Sequence, residues 1–478
     1  MLLKMKSSRK GCSRRLAFIT LVSAAQGAFA VGTDPNVTAA DQATGNTSTV
    51  AEATPTVALP APVPPTSSDD PYKNLRWKGI FIDLPPPSAT IDGANNALRK
   101  TLADYGIGYI GNWIVKMGDN LYSGAANSGP PTGTQRYFGQ KFSWLTSGNA
   151  DLFFDLSRYG IPDGQIVLGG TFIKTNWEAG GPSLLNLGAL NYYQTLFNRR
   201  VELKAGYIGN DYEFYGPYVA GNLSNAIFGT SGTVITQTGF SGTLAPRPGA
   251  NITLHLTDKI YNKFGVHAST SPDGYVQNHE DNPTGFDWHV PHARTMLIDE
   301  FGYKTNATPS TLQSWWRVGY IHNNSEFKDF KYGGRGTGEY AWYVMADQQV
   351  YRFSTASPYR GVFAGFSVQK ANQEFTAISS TYELRLYAVG PFDSRPQDSY
   401  AIIVDRNGFS RYAQAQASNA GSLTHPTSTT VTVAYKAAVY RGVYAGISLI
   451  YTNNPTPVTY APNTGHAVTA LANIITFF

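Results

Sequence analysis

Apolar and polar residues alternate along most of the chain with the two-residue period of a half-buried strand. Leu152, Phe154 and Leu156 share one face, with Asp151, Asp155 and Ser157 on the other. Val201, Leu203, Ala205 and Tyr207 stand back to back with Arg200, Glu202, Lys204 and Gly206. The same division sets Ile252, Leu254 and Leu256 against Thr253 and His255, and Val362, Ala364, Phe366 and Val368 against Ser367 and Gln369. It recurs where Tyr382, Leu384, Leu386 and Ala388 oppose Glu383, Arg385 and Tyr387. Clusters of Gly, Asn, Asp, Ser and Pro separate these runs, so a long series of short strands is expected. One helix is expected ahead of them, from Asp92 to Tyr105: Leu98, Leu102 and Tyr105 are helically spaced, Asp92 could cap it, and Gly106 lies just past its end.

A soluble sandwich alternates in the same way, so other features must decide. No apolar run reaches the ~18 residues of a spanning helix. Aromatic residues gather near segment ends, at Trp315-Trp316, Trp342-Tyr343 and Tyr359, where interfacial girdles would place them. The chain finishes Asn473-Ile474-Ile475-Thr476-Phe477-Phe478, an apolar segment ending in an aromatic residue. That end is expected to close a barrel against the first strand, and its Phe478 to be read by the outer-membrane assembly machinery. In hydrocarbon every backbone amide needs a partner, and only closure removes strand edges. The 381 residues from Leu98 to Phe478, at about 24 per strand with its share of turn and loop, give ~16 strands. The expected fold is therefore all-β: a transmembrane antiparallel β-barrel of about 16 strands, set in outer-membrane lipid and preceded by a short periplasmic helix.

Composition refines the boundaries. Only 14% of the 478 residues are charged, against roughly 25% in globular chains, while 13% are aromatic and the mean hydropathy is −0.24. The formal charge of +5 is misleading. Residues 1–30 hold six basic groups and no acid, and without them 31 basic residues face 32 acidic ones. Nothing then points to a nucleic-acid partner. Basic residues to Arg15, an apolar stretch from Leu16 to about Ala25 and the small-residue site Ala28-Phe29-Ala30 read as a secretory signal cleaved after Ala30. The sole cysteine, Cys12, falls within it, so the mature chain would have no disulfide option. Residues 31–71, rich in Pro, Thr and Ala, read as a flexible periplasmic segment, and residues 72–478 as the barrel.

Several blocks carry a resemblance. Leu98-Arg99-Lys100-Thr101-Leu102-Ala103-Asp104-Tyr105-Gly106-Ile107, Val201-Glu202-Leu203-Lys204-Ala205-Gly206-Tyr207 and Asp299-Glu300-Phe301-Gly302-Tyr303 occur in that order. They are followed by Ala346-Asp347-Gln348-Gln349-Val350-Tyr351, Tyr359-Arg360-Gly361-Val362 and Gly390-Pro391-Phe392-Asp393-Ser394-Arg395-Pro396-Gln397-Asp398. Together, over roughly Asn74 to Phe478, these segments resemble the carbohydrate-selective porins of the OprB-like family. Tyr435-Lys436-Ala437 departs from the family pattern, which carries Tyr-Glu there. The resemblance implies a barrel that passes mono- or oligosaccharides by diffusion.

Sugars are neutral and rich in hydroxyls, so a lumen that favours them needs mixed donors and acceptors with aromatic faces and no dominant charge. The inward candidates are Asp151, Asp155, Arg200, Glu202, Lys204, Trp315, Arg317, Glu383 and Arg385. Arg200, Glu202 and Lys204 would form a ladder of alternating sign on one strand. The competing reading makes these residues ordinary salt bridges of the barrel wall. His279-Glu280-Asp281 with His289 and His292 has donor types suited to a metal but reads as a loop, and Gly333–Gly338 reads as a hairpin connection rather than a phosphate loop. No metal, cofactor or catalysis is expected. Alternatives to the sugar pore are a general small-solute or ion porin and a barrel component of exopolysaccharide export.

Overall fold

The computed structural model describes residues 72–81, 84–122, 142–175, 181–182, 184–215, 233–455, 458–460 and 465–478. The expected leader and the Pro-, Thr- and Ala-rich segment, residues 1–71, lie outside the described residues.

The first half of the sheet comprises β1 (Ile107–Asn120), β2 (Ser143–Asp155), β3 (Gln165–Thr175), β4 (Asn186–Leu196), β5 (Val201–Ile208), β6 (Arg247–His255), β7 (Ile260–Ala268), β8 (Thr295–Thr305) and β9 (Ser314–Asn323). A small hairpin, β10 (Phe327–Lys328) with β11 (Arg335–Gly336), follows. The second half comprises β12 (Glu339–Arg352), β13 (Gly361–Ala371), β14 (Ile378–Val389), β15 (Ser399–Phe409), β16 (Thr427–Tyr440), β17 (Val443–Asn453) and β18 (His466–Phe477). All but the hairpin join one closed antiparallel barrel in which each strand pairs with its neighbours in sequence, β9 pairing with β12 across the hairpin. The barrel has sixteen strands. Closure is by β1 and β18, in register from Asn112 opposite Phe477 to Asn120 opposite Thr469. Gly111 and Phe478 extend the seam by exchanging backbone bonds of 2.8 and 3.0 Å.

The alternation sets the faces as expected. On β14 Thr381, Glu383, Arg385 and Tyr387 are buried within the barrel while Tyr382, Leu384 and Leu386 are exposed outside. On β15 Ile402 and Val404 are exposed and Asp405 and Asn407 buried. An outer surface of Leu, Ile, Val and aromatic side chains around a closed ladder is what hydrocarbon requires.

The two ends of the barrel differ in their connections. One end carries turns such as residues 197–200, 256–259 and 441–442, the other the long stretches 209–246, 269–294 and 410–426. Gly442 shows what the tight end demands: its φ is +71°, and a Cβ there would lie 2.6 Å from the Ile91 amide and 2.7 Å from the Phe477 carbonyl oxygen.

The helix is shorter than expected, Ala97–Asp104, and Asn96 rather than Asp92 caps it, its side chain accepting from the Arg99 amide at 3.2 Å. Asp92 is diverted to hold Arg99 (3.2 Å), the Thr90 hydroxyl (2.7 Å) and the Tyr109 hydroxyl. Arg99, lying 3.9 Å over the Tyr109 ring, is the buried residue of the helix, whereas Leu98 and Tyr105 are exposed. The helix therefore sits against β1 through a paired cation instead of its leucines.

Candidate functional site

After β5 the chain turns into the barrel instead of outward. Gly209 leads into a single 3-10 turn, Asn210–Tyr212. Asn210 donates its amide to the Ser241 carbonyl at 3.1 Å, and the Ser241 hydroxyl donates to the Ile208 carbonyl at 3.0 Å. Glu213 then reaches two wall lysines, Lys204 of β5 and Lys263 of β7, the latter at 2.9 Å. Phe214 is fully buried. Tyr215 binds three further strands. Its amide donates to Glu300 of β8 (3.1 Å), its carbonyl accepts from Arg317 of β9 (2.7 Å), and its hydroxyl accepts from Gln369 of β13 (2.6 Å). Where the described chain resumes, Gln237 accepts from the Ala377 and Ile378 amides, both at 3.2 Å, at the start of β14. The described parts of this connection, 209–215 and 233–246, thus bond to wall strands from β5 round to β14.

Charge and aromatic groups gather on the wall that this segment meets. Asp347 of β12 lies 3.1 Å from Arg385 and 3.5 Å from Arg317, and Arg385 also pairs with Glu383. Glu300 accepts from the hydroxyls of Tyr261 (2.8 Å) and Tyr343 (2.6 Å). Trp315 donates its indole N–H to Tyr261 at 3.0 Å, while its ring is covered by Arg317 at 3.7 Å and Lys304 at 4.6 Å. Trp315 thus serves as a platform for Arg317. On the inward segment, burial pushes the Glu213 carboxyl up but the Lys204 and Lys263 ammoniums more than offset it, leaving it below the usual range and ionised. The neighbouring Asp211 has no such partner among the described residues: burial, only partly countered by bonds from Thr243, pushes it up to about 7.

Of the nine sequence candidates, Lys204, Trp315, Arg317, Glu383 and Arg385 converge on this region. Asp151 faces inward on β2 opposite Gly169. Asp155 ends β2 and caps the turn behind it, accepting from the Ser157 amide (3.1 Å) and hydroxyl (2.7 Å). Glu202 pairs with His255 at 2.8 Å beside the short turns. Arg200 is a correction: it closes the 197–200 turn, exposed, after three residues of positive φ, so the ladder on β5 holds only Glu202 and Lys204. The period broke one residue later than the apolar pattern indicated.

Lys263, Glu300 and Asp347 were readable, since each shares an inward face with alternate residues: Tyr261 and Lys263, Met296, Ile298 and Glu300, and Tyr343, Met345 and Asp347. Glu213 and Tyr215 sit in a non-periodic connection and carried no such signal. The other motifs fall in connections at the long-loop end. His279-Glu280-Asp281 belongs to a short helix, Tyr275–Asp281, rather than a loop, and His292 binds Glu326 at 3.0 Å. Gly333–Gly338 lies at and after the β10–β11 turn.

The high-pH structure of Pseudomonas putida OprB superposes with a TM-score of 0.68 at 15% identity, covering 83% of this chain and all of that one. Its low-pH structure gives 0.50 at 13% identity over the same share of this chain. An anion-selective porin from Comamonas acidovorans gives 0.46 at 9% identity, covering 78% of this chain and 99% of that one. At such identities the two OprB matches speak to the fold alone. No curated protein sequence matches the chain. The model of the carbohydrate-selective porin, OprB family, matches residues 168–464, more than half of the chain, and the protein accordingly belongs to this family of non-enzymatic outer-membrane porins.

Proposed function

We propose that the barrel passes neutral mono- and oligosaccharides by passive diffusion through an eyelet formed between Asn210–Tyr215 and the facing wall. The observation that carries this reading is the inward segment, held to five wall strands through Glu213 and Tyr215. Donors on Lys204, Lys263, Arg317 and Arg385 alternate with acceptors on Glu213, Glu300, Asp347 and Glu383. The two signs balance, so the site presents hydroxyl-binding groups without a net field that would favour one ion. Each guanidinium has five donors and each carboxylate about four lone-pair sites. Asp151 and Glu202 would line the lumen on either side of the eyelet.

The exposed apolar belt would contact outer-membrane lipid. Phe478, 40% exposed beside the closing seam, would be the group read by the assembly machinery. Purified protein in liposomes should cause swelling with a monosaccharide such as glucose. Exclusion of glucose by channels that conduct potassium chloride would instead favour an ion or general-solute porin, and a barrel that transports neither would fit an export component.

A further inference from the structure

The described chain ahead of the helix does not stay at the rim. Residues Arg76–Phe81 lie against inward-facing side chains of five barrel strands. Gln165 of β3 binds the segment reciprocally, its amide nitrogen donating to the Arg76 carbonyl (2.7 Å) and its oxygen accepting from the Lys78 amide (3.0 Å). Lys204 of β5 donates to the Gly79 carbonyl at 3.0 Å. Trp77 packs on Phe153 of β2, with ring centroids 5.8 Å apart, and edge-on to Tyr212 at 5.4 Å. Phe81 donates its amide to the Tyr212 carbonyl at 3.1 Å. Its ring lies 4.9 Å from Tyr261 of β7 and 5.5 Å from Trp315 of β9, with the Lys263 ammonium 4.1 Å above it.

Two features give this arrangement a consequence for transport. Tyr212, Lys204 and Lys263 serve both the N-terminal segment and the inward turn after β5, so the two are stacked layers sharing supports. The first layer lies toward the short-turn end, because its partners Gln165, Tyr261 and Trp315 are at or next to the ends of β3, β7 and β9 that adjoin those turns. Anything crossing the eyelet must also pass this layer.

We propose that Trp77–Phe81 is a second, periplasmic-side size filter in series with the eyelet, and that Lys78 contributes to its charge selectivity. Its ion-conductance arm is independent of the sugar reading; only its sugar cut-off rests on it. The test uses full-length protein in planar bilayers and liposomes, with heat-modifiable electrophoretic mobility as the check on assembly. The Trp77→Ala/Phe81→Ala double variant, which removes two aromatic side chains from the lumen, should raise potassium chloride conductance above that of the wild type and admit longer oligosaccharides. Lys78→Glu, a single exchange at a half-buried position, should move the reversal potential in a salt gradient toward cation selectivity. Wild-type conductance in an assembled double variant, or an unmoved reversal potential for Lys78→Glu, overturns the proposal. If both ion readouts change while glucose never permeates, the sugar assignment fails and this filter stands; if glucose permeates and neither ion readout changes, the reverse holds.

Discussion

Replacing Glu213 with Gln removes the charge that ties the inward segment to two strands while keeping its volume. The Lys263 ammonium stands 2.9 Å from the carboxylate, a gross attraction of about 6 kcal/mol at an effective dielectric constant of ~20. Desolvation of the three groups offsets much of that. Removing one member of a buried pair nevertheless costs about 3–5 kcal/mol, because the remaining charges are left without compensation. Here Lys204 and Lys263 would remain, 4% and 1% exposed, and the local charge would go from about +1 to +2. The segment should be held less firmly and the eyelet should favour anions. Single channels of Glu213→Gln should show a reversal potential displaced toward anion selectivity and larger open-state current noise, with assembly intact. An assembled variant with wild-type selectivity and noise would refute the placement of Glu213 at the constriction.

Other substitutions separate the eyelet from its surroundings. Arg200→Ala, at an exposed turn, should leave sugar block of the current and thermal stability unchanged, the latter within about 0.5 kcal/mol; altered sugar block would return that residue to the lumen. Asp211, pushed up to about 7 by burial, binds its proton more tightly folded than unfolded, so its contribution to stability falls as pH rises from about 4 to 7 and is flat above. Asp211→Asn should therefore gain on the wild type over that window, by at most about 4 kcal/mol, in the temperature at which heat-modifiable mobility is lost; an equal difference at pH 4 and pH 8 would contradict this. Deleting Phe478 removes both backbone bonds to Gly111, about 1 kcal/mol each, together with the terminal aromatic. It should lower the yield of assembled barrel in cells, and an unchanged yield would remove Phe478 from assembly.

The barrel was legible because its strands are two-faced. Leu384 and Leu386 facing outward with Glu383 and Arg385 inward can satisfy only a wall with oil on one side and water on the other. Strand number followed from chain length, and the closing pair from the apolar end at Ile474–Phe478. Local errors arose where one residue overrode a pattern. Asp92 is drawn away from the helix end by Arg99 and Tyr109, and Arg200 is lost to a turn that begins with positive φ at Phe197. The proposed eyelet was only half legible. Its wall residues obey the strand period, but Glu213, Tyr215 and the Trp77–Phe81 layer occupy irregular chain, where only long-range contacts give a side chain its direction.

Carbohydrate crossing the lumen past the Asn210–Tyr215 segment should be visible in the current through one reconstituted channel while glucose is added to both sides. A saturable, reversible fall in current beyond that caused by solution viscosity is expected, weakened in Arg385→Ala. A current that follows viscosity alone, in wild type and variant alike, would contradict it.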